Sequence, residues 1–232
     1  MQYQLPPFSK THKIYFSIII LFYLLSIFLP QVGLLGLNPA TALEGHIYQI
    51  ATYVLYNRSL MGVVFEMLLL WFIGHEFEAR WGSFKYLIFL FSTSIIGGTI
   101  FAVTTKVFGL TAYYSVLWGI TGQANSLLIA YAVLYPNRPF HYMMLFPLKA
   151  KYFCLLILSI QMLNGLASPQ AVQAWGHLGA MLWSFIWMKT LDDKTMNWPK
   201  FGGSKRVGAA SKKSHLRLVP DKDSNKQQKY WQ

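Results

Sequence analysis

The chain has 232 residues, of which 54% are apolar, 17% aromatic and 12% charged, against about 25% charged in an ordinary soluble domain. So few ionic side chains cannot cover a water-exposed surface, which excludes a soluble globular domain and points to the bilayer. Lys and Arg number 20 against 8 Asp and Glu, a formal net charge of +12, and in a membrane protein such an excess reports topology first.

A membrane-crossing helix needs about 20 apolar residues, or about 17 at the short end. Six apolar runs meet or approach that length, at 14–29, 60–74, 86–103, 116–135, 152–167 and 172–188. The expected fold class is therefore an all-α polytopic membrane protein, a bundle of six transmembrane helices. The first run follows Lys10 and Lys13 as a signal peptide would. No small-residue cleavage site comes after it and five further runs do, so it reads as a retained helix. Between the first two runs, 31–59 carries His46, Tyr48, Tyr53 and Tyr56 among Ile and Val. An aromatic-rich amphipathic stretch of this kind is expected in the headgroup layer on the outer side.

Sorting the cations by side orients the bundle. Lys10, Lys13, Arg80, Lys85, Arg138, Lys149, Lys151 and Lys189 fall on one side, and only Arg58 and Lys106 on the other. The positive-inside rule then puts both termini in the cytoplasm. That gives a cytoplasmic N-terminus at 1–13, a membrane domain at 14–190 and a cytoplasmic tail at 191–232. The tail holds ten Lys or Arg and four Asp with little periodic apolar content, so it reads as disordered. Its cations suit anionic lipid. It lacks the interleaved aromatic residues of a nucleic-acid binder, and no nucleic-acid partner is expected.

Cys154, the single cysteine, excludes an intramolecular disulfide and any multi-cysteine metal site. No cofactor or metal motif is present. Glu66 and His177 are ionisable groups inside spans, where they are costly and therefore candidates for function. At about 1.5 Å of rise per residue, Glu66 sits about 9 Å into the second span, while Thr121 and His177 sit about 7.5 Å into the fourth and sixth. All three share one depth beneath the outer face. Gly122, Ser126 and Ala130 form a row of small residues at intervals of four, and so do Gly176, Ala180 and Ser184. Such rows let membrane helices approach closely. If they face each other, the Thr121 hydroxyl and the His177 imidazole come within reach as nucleophile and general base. The plainer alternative is polar packing, with Thr121 bonded to a backbone carbonyl and His177 bridging two helices. Gln123, Asn125, Gln161 and Asn164 read as interhelical hydrogen-bonding groups, and His12 and His46 fall outside the spans.

Four stretches in order resemble the rhomboid family of intramembrane serine proteases over about residues 10–190. They are Leu37-Asn38-Pro39 with Gly45 and Thr52-Tyr53; Trp71-Phe72-Ile73-Gly74 with Glu78 and Trp81-Gly82-Ser83; Gly119-Ile120-Thr121-Gly122 running to Tyr135-Pro136-Asn137; and Gly176-His177-Leu178-Gly179. The resemblance implies a Ser-His dyad that cleaves substrate helices near the outer membrane face, with Thr121 at the nucleophile, His177 at the base and Gly119, Gly122, Gly176 and Gly179 packing the helices around them. It also implies a bacterial inner membrane and a transmembrane-helix substrate or client as partner.

The departures from the family pattern are Thr121 for serine, Glu66 for an oxyanion-binding Asn, Gly62 and Asn57 for two histidines, and Tyr48-Gln49 for a Trp-Arg pair. An ionised Glu66 would repel an oxyanion, a protonated one would donate to it, and a carboxylate could instead orient His177. Two functions follow: an intramembrane endopeptidase using Thr121 and His177, or a pseudoprotease that binds client helices without cutting.

Overall fold

A computed structural model describes residues 7–108, 115–140, 148–167 and 172–190. The expected tail at 191–232 lies outside the described residues. Among the described residues six long helices overlap the six apolar runs: α1 Lys10–Phe28, α2 Leu60–Trp81, α3 Ser83–Phe108, α4 Thr121–Leu134, α5 Ala150–Ala167 and α6 Gln173–Thr190. By length and composition α1, α2 and α3 can each cross a membrane, and α5 is a shorter apolar helix. A two-residue antiparallel ladder pairs β1 Pro139–Phe140 with β2 Leu148–Lys149 between α4 and α5.

Local chemistry sets the helix ends. Ser9 accepts from the His12 amide and Ser59 from the Gly62 amide, each side chain satisfying one orphan N–H of a first turn. Pro30 follows the end of α1 and, with no N–H, cannot extend it. α2 runs past the expected stop at Gly74 to Trp81, where Gly82 at φ +82° breaks it. Charged residues after Gly74 do not end a helix whose side chains find partners. Glu76 accepts from Arg138 at 2.8 Å, and Glu78 accepts from Ser83 at 2.6 Å and lies 2.9 Å from His12 Nδ1.

α4 is the inner helix. Every residue from Gly122 to Tyr131 is buried, whereas α1 and α5 turn apolar side chains outward, Ile14, Leu21 and Ile27 on one and Leu155, Leu163 and Leu166 on the other. An apolar exterior around a helix carrying Gln123, Asn125 and Ser126 is the arrangement that a hydrocarbon solvent requires. Those polar groups are used internally. Gln123 Nε2 donates to Leu90 O at 3.1 Å and Ser94 Oγ at 2.7 Å, and its Oε1 accepts from Tyr15.

The fourth helix starts at Thr121 and not at 116. Residues 115–120 enter as non-helical chain, with Leu117 and Leu37 exchanging two backbone hydrogen bonds of 2.9 Å and Gly119 at φ +88°. A left-handed glycine cannot continue a right-handed helix, so the helix nucleates just after it. The loop at 31–59 is likewise more than an interfacial skin. Tyr48 and Ile47 are exposed, but Gln49, Tyr53, Val54 and Asn57 are buried. Gln49 holds the loop together, donating to Leu34 O at 3.1 Å and accepting from the Asn38 amide at 3.2 Å and Thr41 Oγ1 at 3.0 Å.

Candidate active site

Three helices bring the predicted residues to one level. Glu66 lies in the second turn of α2, Thr121 opens α4, and His177 lies in the second turn of α6. The late start of α4 therefore moves Thr121 from inside a span to its first residue, where no helical carbonyl lies one turn back to take its proton.

The two small-residue rows meet at two positions each, Gly122 on Ala180 and Ser126 on Ser184. A Cβ placed on Gly122 would lie 3.6 Å from the Ala180 Cβ and 3.7 Å from His177 Cδ2. Four residues on, Ser184 Oγ donates to Ser126 O at 2.6 Å. α4 and α6 thus run parallel, in register, with the imidazole edge beside the residue that follows Thr121. Gly176 and Gly179 face a different neighbour. A Cβ on Gly176 would meet Phe101 Cβ at 3.0 Å and Gly97 O at 3.3 Å, and one on Gly179 would meet Ile100 Cδ1 at 2.6 Å. They seat α6 on α3, and Ala180, between them and α4, packs against both.

The hydrogen bonding within this group is specific. Thr121 Oγ1 donates to Glu66 Oε1. Both ring nitrogens of His177 are buried with no hydrogen-bond partner. The geometry thus brings Thr121 and Glu66 together by a direct bond, and brings His177 alongside without one. Of the three roles open to Glu66, orienting His177 is absent from this arrangement, because neither ring nitrogen has a hydrogen-bond partner.

The wall of the site contains groups that sequence reasoning did not single out. Tyr53 Oη donates to Ser94 O at 3.1 Å, and the Gly119 amide donates to Tyr53 O at 3.1 Å. Burial raises the Tyr53 hydroxyl above its ordinary pKa, so it serves as a neutral donor. Asn57 donates to Val54 O at 3.2 Å, and its buried Oδ1, without a partner, lies 3.2 Å from where a Cβ on Gly119 would sit. Gly97 and Gly98 on α3 admit α6 and the Tyr53 ring. A paired glycine in the middle of an apolar run was the signal available for them. Farther off, at the opposite end of α2, His12 is buried at 1% exposure against Glu78, Ser9 and Tyr86. Its place on the first turn of α1, ahead of the apolar run, gave no sign of this.

A cavity of about 130 Å³ is lined by Thr121 and Glu66 together with Phe65 and Leu69 of α2, Ala124, Asn125 and Leu128 of α4, and Phe153 and Ile157 of α5. Among the described residues no group of three or more His, Cys, Asp or Glu is placed to hold a metal ion.

The family model described as Rhomboid domain matches residues 44–192, a span that takes in α2 to α6 and every residue of the site. Comparison with curated proteins finds none that matches the chain. A domain match over more than half of the sequence, on a bundle that includes apolar helices long enough to cross a membrane, establishes that this integral membrane protein belongs to the rhomboid family.

Proposed function

We propose that the chain is a rhomboid pseudoprotease: it binds transmembrane helices of client proteins and does not cut them. The observation that carries this reading is the hydrogen bond from Thr121 to Glu66, with His177 left without a partner. A general base must lie within hydrogen-bond reach of the proton it removes, and here the hydroxyl is directed elsewhere. The threonine methyl adds a second obstacle, because a β-branched side chain is stiff at χ1. In its ionised form Glu66 adds a third. It replaces a neutral oxyanion donor, and loss of one such donor lowers rates by about 10²- to 10³-fold. Client binding is supported by the cavity between α2 and α5 and by the apolar outer face of α5. The six helices cross the bilayer in this reading, with both termini in the cytoplasm, as the cation distribution supports, in a membrane of the bacterial inner type.

A second reading, an endopeptidase that uses Thr121 and His177, is favoured by the nearness of the imidazole edge to Gly122. It requires Thr121 to leave Glu66 and rotate toward the ring. Purified protein in lipid, given a labelled single-span substrate, separates the two. The pseudoprotease yields no cleavage product from wild type, Thr121→Ala, Thr121→Ser or His177→Ala. Cleavage by wild type that disappears in both alanine variants would overturn it.

A further inference from the structure

The corner where α4 hands over to α5 gathers charge that the chain does not balance. Lys149 pairs with Pro139 across the β1–β2 ladder, the Ala150 amide donates to Arg138 O at 3.0 Å, and the Lys151 amide donates to Pro136 O at 3.3 Å. Backbone bonding thus holds Arg138, Lys149 and Lys151 in one place, although residues 141–147 separate the first from the other two in sequence. No Asp or Glu occurs between Glu78 and Asp192. Of the two acids at the end of α2, Glu76 accepts from Arg138 at 2.8 Å, and Glu78 is taken by Ser9, His12 and Ser83. Among the described residues neither Lys149 nor Lys151 has a carboxylate partner. Like charges held together repel one another unless counter-charge arrives from outside. The next residues along α5 change character at once. Lys149 is exposed, and the half-buried Lys151 sets its ammonium 5.1 Å from the centre of the Tyr152 ring. Tyr152, Leu155 and Leu156 then face outward, 55%, 57% and 49% exposed. Cations, an aromatic ring and an apolar face in that order mark a helix passing from the headgroup layer into the acyl chains.

We propose that this corner is a binding site for one anionic phospholipid, its phosphate paired with Lys149 and Lys151 and its acyl chains laid along Tyr152, Leu155 and Leu156. Arg138, partly neutralised by Glu76, adds to the field. The combination of parts selects the ligand. A free phosphate satisfies the two ammonium groups, which can only donate, but leaves the apolar face uncovered. A zwitterionic lipid covers that face but carries its own cation to the lysines. An anionic lipid meets both demands, and juxtamembrane Lys and Arg gain from such headgroups. The side chains carry the site, because the first two amides of α5 are already spent on Arg138 O and Pro136 O. The site uses neither the basic tail at 191–232 nor the group around Thr121, and it holds whether or not the chain cuts a substrate.

The test places a dye on Ser159→Cys in a Cys154→Ala full-length chain, since Ser159 is exposed two turns along the same helix. Phosphatidylcholine vesicles carry a small fraction of acceptor-labelled phosphatidylglycerol or acceptor-labelled phosphatidylcholine, and energy transfer reads which lipid collects beside the dye. The anionic lipid should be preferred at least tenfold. Lys149→Gln should lower that preference about fivefold, the factor for one cation at an anionic surface, and Lys149→Gln with Lys151→Gln should abolish it. Lys10→Gln with Lys13→Gln should leave it unchanged. Equal transfer from the two lipids overturns the site, and this comparison stands even if a lysine variant fails to fold. An equal loss in the Lys10 and Lys13 variant also overturns it, in favour of diffuse attraction around the whole bundle. Displacement of the labelled lipid by millimolar inorganic phosphate overturns it in favour of a free-anion site.

Discussion

Thr121 Oγ1 donates to the Glu66 side chain, and the imidazole edge lies beside Gly122, the next residue along α4. That bond ties the first residue of α4 to the second turn of α2. It also gives a stability prediction. Glu66→Gln keeps an amide oxygen for Thr121 to donate to and should shift the unfolding free energy in mixed detergent by less than about 1 kcal/mol. Glu66→Leu removes the acceptor and should lower it by about 1–3 kcal/mol; an unchanged midpoint would show that the bond contributes nothing. Thr121, Glu66 and His177 were all legible in the sequence, because ionisable and hydroxyl groups stand out against apolar runs. Their pairing was not, because which neighbour takes a proton depends on side-chain directions that spacing leaves open.

At the scale of elements, the seams between helices are where the chain has least freedom. A Cβ on Gly97 would lie 2.9 Å from the Gly176 carbonyl and 3.0 Å from the Ala180 Cβ, whereas one on Gly62 would meet only Ser59 atoms at 3.4 Å. Gly97→Ala should therefore cost about 1–3 kcal/mol by overpacking, and Gly62→Ala should be neutral or stabilise by up to about 1 kcal/mol. The paired unfolding curves check both, and a tolerated Gly97→Ala would contradict the close approach of α3 to α6. The six helices and the facing of Gly122 on Ala180 could be read in advance, since small residues at intervals of four mark a helix contact. The start of α4 could not. An apolar count has no way to register that Gly119 turns left-handed, and so the run from 116 looked continuous. The end of α2 was misplaced for the opposite reason. Charges after Gly74 resemble a helix stop until their partners Ser9, His12, Ser83 and Arg138 arrive from elsewhere in the chain.

For the whole molecule, composition was enough to name the solvent, and the order of four short stretches was enough to name the family. The proposed orientation rests on the cation distribution and is open to direct measurement. Reporter domains fused at the N-terminus and in the segment between α4 and α5 should be active only as cytoplasmic reporters, and one inserted near Arg58 only as an exported one. A cytoplasmic signal at Arg58 would reverse the topology. Gly122 to Tyr131 of α4 is enclosed by other helices, whereas the outer helices carry the exposed apolar side chains. A thinner or thicker membrane consequently acts on the hydroxyl second-hand, by tilting the peripheral helices at a cost of fractions of a kcal/mol per Å of mismatch. The α2–α5 side of the cavity, where one of those peripheral helices forms the wall, is where such a change in lipid would register first.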